Sequence, residues 1–101
     1  RAIRRANRPV KVQYVLFGSA STATITYTTR HGTGQQDIQV PHARGPAISV
    51  YLPHGDFAQF SAQNGGGYGS LTCEIYADGH RISHTVSSGA YVIVDCDADV
   101  P

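Results

Sequence analysis

The stretch "TATITYTT", residues 22 to 29, puts a threonine at every second position from Thr22 to Thr28, with Ala23, Ile25 and Tyr27 between them. A period of two is the side-chain period of a β-strand, whose successive residues face opposite sides of a sheet. The same alternation, or an enrichment in β-branched and aromatic residues, runs along almost the whole chain, and nowhere does a helical i, i+3, i+4 pattern persist for three turns. The pattern predicts an all-β chain with strands over about 10–17, 22–29, 35–40, 47–52, 57–63, 71–77, 80–86 and 90–96. On residues 22–29, Ala23, Ile25 and Tyr27 face a core and the threonines face water.

Between these runs lie "GSAS", "RHGTG", "PHARGP", "PHGD", "NGGGYG", "DG" and "SSG", the residue types that supply fixed or positive φ at turns. Short strands at such even spacing predict a small antiparallel β-sandwich, immunoglobulin-like, of seven or eight strands. With 101 residues the chain is one domain. We read residues 1–9 as a basic arm or linker and 10–101 as the sandwich. Hydrophobic residues at 41% against charged ones at 15% place the chain among globular proteins rather than disordered ones.

"CEIYADGHRI", residues 73 to 82, contains the Asp-Gly pair that favours a two-residue type I′ hairpin. The implied register sets Ala77 opposite His80, Tyr76 opposite Arg81, Ile75 opposite Ile82 and Cys73 opposite His84. Leu71, Cys73, Ile75, Ile82, His84 and Val86 then share the core face, with Glu74 and Tyr76 on the other. Cys96 shares a face with Val92 and Val94, so both cysteines point inward. A Cys73–Cys96 disulfide would close a loop of 24 residues, while two buried free thiols are the other reading.

The net charge of +1 conceals two unlike ends, with Arg1, Arg4, Arg5, Arg8 and Lys11 at the start and Asp95, Asp97 and Asp99 near the finish. Arg1, Arg4, Arg5 and Arg8 are candidate contacts for an anionic surface, and a linker is the plainer reading; specific nucleic-acid binding is not expected. No apolar run approaches the roughly 18 to 20 residues that span a bilayer. The absence of any Met suggests processing from a longer precursor.

Chemistry-bearing motifs are few. His80 and His84 would be neighbours on a helix, but on a strand a spacing of four separates them by about 13 Å, so they and His31, His42 and His54 read as solvated histidines and not as a metal site. "QNGGGYGS" lacks the Gly-Lys-Ser/Thr ending of a phosphate cradle and reads as a mobile loop carrying Tyr68 as a candidate partner contact. The Asp95–Asp97–Asp99 alternation reads as a wet terminal strand. No Gly-x-Ser-x-Gly elbow is present, so an enzyme is not expected, and no cofactor is implied.

"VQYVLFG" at Val12 to Gly18, "ATITYTT" at Ala23 to Thr29, Val40-Pro41, "CEIYADGHRI" and the closing Cys96 together resemble the extracytoplasmic domain of the MmpS family of mycobacterial small membrane proteins, over Val10 to Cys96. The resemblance implies a β-sandwich outside the cytoplasmic membrane with Cys73 and Cys96 paired. It implies an anchor upstream, and a non-enzymatic accessory role beside an RND-type (MmpL) exporter of lipids or siderophores. Two features depart from the family: Pro41-His42-Ala43 stands where it typically has Pro-Trp-Ser, and the membrane helix is missing. His42 and Arg44, in that connection, join Tyr68 as candidate partner contacts. A freely secreted β-sandwich that binds an envelope or host ligand without a transporter is the alternative.

Overall fold

The structure, a computed structural model, describes residues 8–45 and 48–101. Eight strands follow one another: β1 (Val10–Phe17), β2 (Thr22–Thr29), β3 (Gly32–Gln39), β4 (Ile48–Leu52), β5 (Phe57–Asn64), β6 (Ser70–Ala77), β7 (His80–Ser88) and β8 (Ile93–Asp99). They form two four-stranded antiparallel sheets, one ordered β4-β1-β6-β7 and the other β3-β2-β5-β8. The inward side chains of both layers meet in one core, in which Tyr14, Phe60, Ile25, Leu52, Leu71 and Ile75 are the largest buried apolar groups. No helix among the described residues is long and apolar enough to cross a membrane.

The β1–β4, β2–β3, β2–β5 and β5–β8 neighbours reproduce the B–E, C–C′, C–F and F–G pairs of an immunoglobulin sandwich. In this chain the β6–β7 hairpin lies on the far side of β1 from β4. The disulfide is correspondingly placed, joining Cys73 of β6 to Cys96 of β8 across the two layers.

The alternation on β2 is realised: Ala23 and Ile25 are buried and Tyr27 packs against the core. Tyr27 lies directly over Gly34, its cross-strand partner, where a Cβ would stand 2.6 Å from the ring. A side chain at 34 would have to displace that ring. β3 begins at Gly32, earlier than residue 35, because Arg30 and His31 alone make the turn and the ladder resumes at Thr29 opposite Gly32. β8 begins at Ile93, later than residue 90, because residues before it form the connection in which Tyr91 takes a positive φ of 53°.

The β6–β7 turn has positive φ at Asp78 and Gly79, 48° and 85°, as a type I′ turn demands. Ala77–His80 and Tyr76–Arg81 pair as the turn dictates. A bulge between Ile75 and Tyr76 then inserts one residue on β7, so Ile75 pairs with Ser83 and Cys73 with Thr85, not with Ile82 and His84. One inserted residue inverts the faces beyond it. His84 and Val86 consequently face solvent, Val86 at 58% exposure, and the half-buried positions fall to Ser83, Thr85 and Ser87.

Candidate functional site

The two layers are closed along one margin and open along the other. On the closed side the Cys73–Cys96 bond ties β6 to β8. On the open side the edge strands β3 and β4 part, leaving an apolar cleft of about 210 Å³ lined by Tyr14, Leu16, Ile38, Pro41, Ile48 and Phe60. Tyr14 and Phe60 form its floor, with ring centroids 5.2 Å apart. The Tyr14 hydroxyl does not face the cleft as a free donor, because it donates to the Thr28 carbonyl at 2.8 Å. Desolvation by burial is the chief cause that pushes its pKa up to about 12.

The connection from β3 to β4 shapes the mouth. Gly18 N–H donates to the Pro41 carbonyl at 2.9 Å, and the His42 ring nitrogen Nδ1 lies 3.1 Å from the Gly18 carbonyl. Arg44 then reaches the outer side of β6, where Nε and Nη2 donate to the two Glu74 carboxylate oxygens at 2.8 and 2.9 Å. Arg81 adds a third donation at 3.1 Å and the Tyr76 hydroxyl a fourth at 2.9 Å. The Arg44 guanidinium also sits 5.0 Å over the Phe17 ring.

Glu74 is fully buried, not on a wet face, although it points away from the core. Its pKa is held down to about 2, chiefly by the Arg44 hydrogen bonds and further by Tyr76 and Arg81, against a desolvation that acts the other way. A carboxylate so fixed is a structural anion, unsuited to giving or taking a proton near neutrality. Among the described residues no three His, Cys, Asp or Glu side chains gather as metal ligands.

Of the candidate contacts, Arg44 and His42 have intramolecular partners, and both residues remain exposed. Arg8 is exposed, while Arg1, Arg4 and Arg5 lie outside the described residues. Tyr68 is 71% exposed, and its loop is tied down: the buried Asn64 side chain donates to the Tyr68 and Gly89 carbonyls and accepts from Gly66 N–H. Tyr91, 62% exposed, is anchored to the same loop through Gly66 and was not singled out by sequence pattern. The cleft was equally invisible there, since its lining comes from four strands and a connection. Tyr76 and Arg81, which share a hairpin face with Glu74, were the one legible trace of the buried carboxylate.

No protein-family model matches this chain, and no curated protein matches it.

Proposed function

We propose that this chain is a non-enzymatic binding domain that works outside the reducing cytosol, as the accessory of an RND-type, MmpL-like transporter. The observation that carries the reading is the preformed apolar cleft on one margin of a sandwich whose layers are joined covalently in the other half, through β6 and β8. A disulfide of this kind suits an oxidising compartment. The resemblance of the β1, β2 and β6–β7 sequences to the MmpS family supplies the transporter.

Size argues for a docking role over cargo carriage. Sites that enclose a whole small molecule run from about 300 to 1,000 Å³, and the cleft offers about 210 Å³. A cavity of about 150 Å³ accepts one benzene-sized group. The cleft therefore suits a single side chain of a protein partner better than an entire lipid or siderophore.

The test is co-expression with an MmpL-like transporter and a photo-crosslinking residue in place of Ile48. A crosslink to the transporter, lost when the probe is moved to the exposed Asp97 on β8, is the expected result. If both positions fail to crosslink while the chain is exported and disulfide-bonded, the accessory role falls and the freely secreted module takes its place.

A further inference from the structure

The four sheet margins differ in how they discourage a further strand. On β8, Asp95, Asp97 and Asp99 are all exposed, and β7 is interrupted by its bulge. β4 has five residues and runs into Pro53. Charges, bulges, shortness and proline are the devices that keep sheet edges from pairing with other chains. β3 has no bulge, no proline and a single charge: it runs eight residues in unbroken register with β2 and contains neither Lys, Arg nor Pro. Its one charged residue, Asp37, accepts a hydrogen bond from Thr24 Oγ1 at 2.6 Å.

The free backbone groups of β3 follow from the ladder. Val40 N–H donates to the Ser21 carbonyl, continuing the β2–β3 register, so Val40, Ile38, Gln36 and Gly34 turn their polar groups toward β2. By alternation Thr33, Gln35, Asp37 and Gln39 turn their N–H and C=O groups outward. Side chains of residues set opposite Gly34, Gln36 and Ile38 on an added strand would face the core side, and Ile38 lines the cleft.

We propose that β3 is the docking edge of the binding domain, and that it receives an extended segment of a partner protein carrying one Leu- to Phe-sized side chain into the cleft and a cation opposite Asp37. The inference rests on the reading of the chain as a binding domain and names its partner's chemistry. Backbone pairing supplies affinity, while the inserted side chain and the charge supply register and choice. A second copy of this chain fits less well: its own core-side β3 residues are Gly34, Gln36 and Ile38, and it brings a second Asp37 to the outer face.

Synthetic eight-residue peptides of alternating Thr and Val test this, with one Lys on the outer face and the core-side central residue varied over Ala, Leu and Phe. Binding is read at millimolar peptide by amide chemical shifts and hydrogen exchange. The expected result is slowed exchange at Thr33, Gln35, Asp37 and Gln39 and at least tenfold weaker binding of the Ala peptide than of the Phe peptide. Gln35→Pro, which removes an N–H that serves no internal ladder bond, should abolish binding with the fold intact. Ile48→Trp, which fills the cleft, should erase the Phe-over-Ala preference. Unchanged exchange on β3, shifts confined to β7, β8 or the Tyr68 loop, or a β3-paired homodimer in sedimentation would each overturn the proposal. Peptide capture does not involve a transporter, so its failure leaves the accessory reading standing, and the failure of the transporter crosslink leaves the edge standing.

Discussion

A carboxylate with no exposed surface, gripped by two arginines and a tyrosine, contributes to stability only while it is ionised. The folded pKa of Glu74, about 2, lies below the ordinary 4.5, so the contribution is whole above about pH 4.5 and is lost as pH falls toward 2. An acid-unfolding series should show that loss in the native chain and not in Glu74→Gln. At neutral pH the same substitution, which leaves Arg44 and Arg81 facing a neutral amide, should cost about 1 to 3 kcal/mol in denaturant unfolding. Tyr14 behaves in the opposite sense. Its folded pKa of about 12 exceeds the ordinary 10.0, so its contribution is present below pH 10 and lost as pH rises toward 12. Alkaline spectrophotometric titration of the native chain should find one tyrosine that ionises last, and Tyr14→Phe should remove that step.

At the level of the elements, the Asp78-Gly79 turn and the β7 bulge together decide what the hairpin presents. Asp78 accepts a hydrogen bond from Lys11 N–H through Oδ1 at 3.1 Å and donates its own N–H to the Lys11 carbonyl at 2.8 Å, in a left-handed conformation. Asp78→Val sets a β-branched residue at that φ and should cost about 1 to 2 kcal/mol, measured by thermal or urea unfolding. The strands were legible because each side-chain alternation is local: β1 and β2 run over the residues that their patterns imply. Cys73 and Cys96 point inward for the same reason, and their bond follows once β8 and β6 stack. The bulge was not legible. Ile82, His84 and Val86 alternate as if the ladder were regular, and the extra residue is favoured only in the folded hairpin, where His84 and Val86 reach water and Glu74 lies opposite His84 beneath Arg44 and Arg81. Arg44 is thirty positions from Glu74, and nothing local couples them.

On the scale of the whole molecule, the covalent link spans a loop of 24 residues between β6 and β8. Replacing both cysteines by alanine should lower unfolding free energy by about 3 kcal/mol on the loop-entropy estimate, read against the wild type under non-reducing conditions. Thiol titration of the unreduced, denatured wild-type chain should find no free sulfhydryl. The link also joins the inner strand β6 to the edge strand β8, away from β3 and β4, which share no ladder. Such a molecule is bound like a book along its spine. Its breathing should be lopsided, with microsecond to millisecond relaxation dispersion gathered at Ile38 and Ile48 on the fore-edge and quiet at Val94 and Cys96. Cutting the spine with a reductant would spread that motion to both sides, so a gap that is ready-made in oxidising surroundings becomes one that any visitor must first assemble.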